Sequence, residues 1–137
     1  MRYLISLILT FCIIHTAAAA SSTPEAAELY FISPVDGASV SSPVTIRFGL
    51  RNMGVAPAGT QADNTGHHHL LINTDLPALD RPIPNDDQHR HFGLGQTETT
   101  LDLPPGEHTL QLLLGNFAHI PHEPAVKSEQ IRITVTD

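Results

Sequence analysis

The sequence predicts an all-β chain folded as an antiparallel β-sandwich. Three observations predict it. Val44–Arg51 alternates strictly, with Val44, Ile46, Phe48 and Leu50 on one face and Thr45, Arg47, Gly49 and Arg51 on the other. That period-two pattern belongs to a strand with one buried and one wet face. Six or seven such short runs follow one another, separated by Pro, Gly, Asn and Asp turn signals about every eight to twelve residues. No stretch carries helical periodicity.

Taken in order, residues 1–20 are expected to be a secretory signal peptide. Arg2 supplies the positive end, residues 4–14 the apolar run, and Ala17 to Ala20 the small cleavage positions; the run is short for a membrane span. Residues 21–28 read as a flexible leader, and 29–137 as a single β-sandwich domain. Leu29-Tyr30-Phe31-Ile32 is the first strand, ended by Ser33-Pro34 and the Asp36-Gly37 turn. Val40-Ser41-Ser42-Pro43 leads into Val44–Arg51. A long loop over 52–66 precedes a strand over 67–73. Residues 74–90, with three prolines and four aspartates, form an excursion with room for a short edge strand. Strands are expected over 96–103 and 108–114, joined by a hairpin turn at Pro104-Pro105-Gly106-Glu107, and over 126–136. The order suits an immunoglobulin-like Greek key, with a cupredoxin-like sandwich as the alternative.

Cys12 is the only cysteine and leaves with the signal peptide. The remaining chain has no disulfide and no thiolate ligand. Six Lys and Arg then face fourteen Asp and Glu. Nucleic acid is not an expected partner, because phosphate contacts need clustered basic residues. A periplasmic or secreted location is expected, without a membrane span after cleavage. Eight histidines remain, outnumbering Lys and Arg.

Three of them are consecutive, in Gly66-His67-His68-His69-Leu70-Leu71-Ile72. Alternation puts His67, His69 and Leu71 on one strand face and His68, Leu70 and Ile72 on the other. In an immunoglobulin-like order the loop 52–66, the segment carrying His89 and His91, and the loop carrying His119 and His122 gather at one end of the sandwich. Imidazole suits copper, zinc, nickel and iron, and a thioether adds preference for Cu(I). The candidate metal ligands are therefore His67 and His69, completed by His119, His122 and His91, with His68 in the triplet and Met53 as an auxiliary. The competing reading makes the histidines hydrogen-bond braces for the long loops, with His68 important for stability, and turns the loops towards an envelope protein or cell-wall partner.

No nucleophile elbow or glycine-rich phosphate cradle is present. Glu98 and Asp102 share the wet side of one strand, and His119-x-x-His122 lacks the glutamate of a helical zinc-protease motif. An enzyme is not expected.

The chain resembles a family of small exported bacterial domains of unknown function. The resemblance rests on Ser33-Pro34-x-Asp36-Gly37, Asn64-Thr65-Gly66-His67-His68-His69-Leu70-Leu71-Ile72, His91-Phe92-Gly93-x-Gly95-Gln96-Thr97-Glu98, Pro105-Gly106-x-His108-Thr109-Leu110-Gln111-Leu112-Leu113-Leu114-Gly115 and His119-x-Pro121-His122-x-Pro124. It implies an exported sandwich-like domain. A weaker similarity, to periplasmic copper chaperones of cupredoxin-like fold, rests on Pro105-Gly106-Glu107-His108-Thr109-Leu110; the spacing is one residue short and the family's methionine is missing. The leading expectation is copper, before zinc, bound for buffering or delivery.

Overall fold

A computed structural model describes residues 22–24 and 26–136. The expected signal peptide lies outside the described residues, as do Ser21 and Glu25 of the leader and the terminal Asp137. Within the leader, the Thr23 N–H donates to the Glu123 carbonyl at 3.2 Å.

The strands are β1 (Glu28–Ser33), β2 (Ser39–Ser41), β3 (Val44–Arg51), β4 (Gly54–Val55), β5 (Thr65–Ile72), β6 (His89–His91), β7 (Glu98–Leu101), β8 (Gly106–Gly115) and β9 (Ile131–Thr136). They form two sheets. One has the order β1-β3-β7; the other has β2-β9-β8-β5-β4, with β6 also pairing β5. The pairs are antiparallel except β2 with β9 and β4 with β5. Among the described residues no helix is long and apolar enough to cross a membrane.

The two sheets close on one core. Leu29, Val44, Ile46 and Phe48 from the first meet Leu70, Ile72, Leu110, Leu112, Leu114, Ile133 and Val135 from the second. These are the inward positions of period-two patterns. Burying each such side chain stabilises by about 1.5–3 kcal/mol, so register is strongly fixed: a one-residue slip would carry every inward residue to the other face.

Two expectations change in detail. The turn at Pro104-Pro105-Gly106-Glu107 is not a hairpin. β7 pairs with β3, whereas β8 has both edges taken by β5 and β9, so this segment passes from one sheet to the other. The closing strand is shorter than 126–136: regular pairing begins at Ile131, and residues 126–128 instead bond β8 through Leu114 N–H to Val126 O and Ser128 N–H to Leu112 O.

β5 differs from β3 in being buried on both faces. Its outward residues lie under two long segments, 73–88 and 116–130. The Ile83 N–H donates to the His119 carbonyl at 2.9 Å, which ties the two segments together. Leu71, Ile83 and Leu113 form a second small core beneath them, with Leu76 and Ala125 against it. The result is a buried compartment on the outside of the larger sheet.

Candidate metal centre

Strand register builds the centre. His67 and His69 point outward from β5. β6 pairs with β5 so that His91 lies opposite His69, which puts a third imidazole on the same face. The fourth, His119, descends from the loop after β8. Ring centroids lie 4.9 Å apart for His67–His69, 5.0 Å for His67–His91 and for His67–His119, 4.8 Å for His91–His119 and 5.1 Å for His69–His91. His69 and His119 are more distant, at 6.2 Å.

Two glycines make room for these rings. A Cβ on Gly93 would fall on the His91 imidazole, and one on Gly115 would sit 2.8 Å from His69 Cε1. The backbone of His119 has φ +66°, a left-handed conformation uncommon outside glycine. Asn116 holds it there. The Asn116 Oδ1 accepts the N–H groups of Ala118 and Ile120, and the Asn116 carbonyl accepts the N–H of His119. These contacts close residues 116–120 into a tight loop that aims His119 at its neighbours.

The ring nitrogens of this group have little to bond to. Both nitrogens of His67, Nδ1 of His69 and Nε2 of His91 are buried without a hydrogen-bond partner. His67 and His69 are at most 1 % exposed, while His91 and His119 are half-buried. Access to the centre is therefore from the side of His91 and His119. Leaving a buried polar group unpaired costs about 1–3 kcal/mol, and here several such groups converge.

Burial, and then the neighbouring imidazoles His119 and His91, push His67 down to about 4. Burial, followed by His67, His91 and His119, pushes His69 down to about 2. His91 is lowered by burial and by His119. The rings of His67, His69 and His91 are therefore neutral near pH 7, the form in which an imidazole nitrogen can ligate a metal.

His67, His91 and His119 each offer a nitrogen within 4.8 Å of the others, a group that could hold a metal ion. Metal–nitrogen bonds of about 2.0–2.1 Å in tetrahedral geometry require nitrogens about 3.4 Å apart. The rings would close in by roughly 1 Å. His69 stands beside the three as a fourth nitrogen source.

The remaining sequence candidates lie elsewhere. His68 faces the main core, its ring 5.2 Å from Phe48; burial lowers it to about 4, against the opposing Gln96 carbonyl. The expected pairing of His119 with His122 does not form a shared site here: His122 donates Nε2–H to the Thr65 carbonyl at 3.1 Å. Met53 packs against the main core. His89 bonds Asp86 Oδ1 at 2.8 Å. The expected gathering of loops does occur in the backbone, where Ala58 N–H bonds Gly93 O and Gly59 N–H bonds Phe117 O. The imidazoles collect beneath those loops, on the sheet's outer face. Gly93, Gly115 and Asn116 support the centre and were not singled out by spacing. An asparagine just after a long apolar strand and three residues before a histidine is the signal that could have marked Asn116.

Residues 46–136, which include all four histidines, match the model of a family described as a domain of unknown function, DUF4399. No curated protein and no solved structure matches the chain. The chain belongs to the DUF4399 family.

Proposed function

We propose that this DUF4399 member is an exported, non-enzymatic domain that binds a transition-metal ion, copper before zinc, for buffering or delivery. His67, His91 and His119 are the ligands, and His69 is the available fourth. The observation that carries this reading is the convergence of four imidazoles, three of which, His67, His69 and His91, have buried ring nitrogens with no protein partner. Three separate segments of chain supply them, so their meeting is not a by-product of local sequence. Export rests on the charge, apolar run and small residues of positions 1–20.

The test is metal content and titration of untagged protein purified without immobilised metal. Tight, stoichiometric binding is expected, and the double replacement His67→Ala/His69→Ala should abolish it. Undiminished affinity in the folded double variant would sink the assignment. The brace reading is favoured for His89, His108 and His122, each of which has a protein partner. For those three, replacement should change stability and leave metal binding in place.

A further inference from the structure

We infer that this centre takes its metal as a monocation, Cu(I), in preference to the dications Zn(II) and Cu(II). The inference rests on the metal reading above and adds the charge state of the ion. The group that could hold a metal consists of histidines alone. An imidazole ligates through its neutral form, so none of the group's donors brings a negative charge. The ionisable groups acting on His67 are His119, His91, His68 and His122, and those acting on His69 are His67, His91 and His119. No carboxylate is among them. Asp86, close in sequence to His91, is committed to His89 and to the N–H groups of Gln88 and His89. Asp87 is fully exposed, with Arg90 at 3.9 Å.

An ion entering here keeps its whole charge. His67 and His69 are essentially sealed from solvent, so hydration does not offset that charge from their side. The cost of moving an ion out of water grows with the square of its charge, so a dication is penalised about four times as heavily as a monocation of similar size. Sites that hold dications usually offset this with carboxylates or thiolates. Coordination number does not separate the ions: three nitrogens lie close together, and Zn(II) can complete its tetrahedron with His69 or with water from the His91 and His119 side. Imidazole is a borderline donor, so missing negative charge, more than donor softness, sets the preference.

The experiment is chelator competition with the untagged chain, using Cu(I) under a reductant, Cu(II) and Zn(II) as separate probes. Cu(I) is expected to bind at least about a hundredfold more tightly than Zn(II), and more tightly than Cu(II), which ordinarily leads the divalent series. Each tenfold by which Cu(I) leads Cu(II) raises the potential of the bound couple by about 59 mV over the aqueous one. A His119→Asp variant adds the missing charge. Asp tolerates the left-handed backbone at this position, and the variant should narrow the gap between Cu(I) and Zn(II) by at least about tenfold. Zn(II) or Cu(II) binding as tightly as Cu(I) to the unchanged protein, and lost in His67→Ala/His69→Ala, would overturn the monovalent assignment and leave the metal centre standing. Failure of all three ions to bind would overturn both.

Discussion

His108 and His67 are buried imidazoles on adjacent strands of one sheet, 7 % and 0 % exposed, and the fold treats them in opposite ways. His108 has both nitrogens satisfied. Asn73 Nδ2 lies 2.9 Å from its Nδ1, and the Pro104 carbonyl lies 2.8 Å from its Nε2. The Asn73 Oδ1 accepts the Thr109 N–H, which fixes the amide orientation. Asn73 therefore donates, and the proton of His108 resides on Nε2. His67 has no partner on either nitrogen. One ring staples the end of β5 to β8; the other is kept free beside three more. His68 also lacks a partner on either nitrogen, but it faces Phe48 in the main core, whereas His67 stands among three other imidazoles.

Acid offers the largest separation of the two. His67 and His68 titrate near 6.5 when exposed and are held near 4 in the fold, with His69 lower still. Between those values the unfolded chain binds more protons than the native one. Their contribution is therefore complete above about pH 6.5 and is lost as pH falls towards 4. At about 1.4 kcal/mol per unit, one such group removes on the order of 3 kcal/mol by pH 4, and a whole domain has only about 5–15 kcal/mol. Denaturant midpoints of the metal-free protein should fall steeply from pH 7 to pH 4.5. The slope should flatten in His67→Ala, provided the variant folds. An unchanged midpoint across that range would show that these rings are not held neutral by burial.

Next in size is His108→Ala. It removes the hydrogen bonds to Asn73 Nδ2 and the Pro104 carbonyl, each worth about 0.5–1.5 kcal/mol; both partners are on exposed residues, where water replaces the lost contacts in part. Urea unfolding should register that loss while metal stoichiometry stays unchanged. Loss of metal binding in a folded His108→Ala protein would erase the distinction between brace and ligand.

How far the sequence carries this distinction depends on the range of the interaction. Alternation along Val44–Arg51 and around Leu110, Leu112 and Leu114 reveals the inward faces, because a period of two is a local property. The same rule separates His67 and His69 from His68. It does not say that Pro105-Gly106 joins two sheets, because that depends on which strands occupy the edges of β8. Nor does it choose between His119 and His122. Both sit in one proline-bounded loop, and either spacing is plausible from the letters alone. The choice is made by the left-handed backbone at His119 and by the carbonyl of Thr65, a partner 57 residues from His122. His91 needed the register of β6, a strand of only three residues in a segment rich in Pro and Asp. His108 shows the same limit from the other side. A histidine beside a Pro-Gly turn can be read from the letters alone as a ligand, yet Asn73 and Pro104 use both of its nitrogens.

The smallest expected effect concerns the loop that delivers His119. Asn116 makes no contact with a metal in this scheme; it acts as a positioning residue. Its Oδ1 accepts two backbone N–H groups, while its Nδ2 is buried without a partner. Only the oxygen is therefore used. Asn116→Ala removes the clamp and frees His119 to leave its left-handed conformation, so metal affinity should fall by about tenfold, near the lower end for groups that orient a ligand. Asn116→Asp keeps an acceptor oxygen in place and replaces the unpartnered amide, so it should restore the loop geometry and most of the affinity. A general loss of folding would lower unfolding midpoints in the alanine variant without this selective rescue. Equal metal affinity in the unchanged protein and Asn116→Ala would mean that Ile83, whose N–H holds the His119 carbonyl from the opposite side, is enough to fix the ligand.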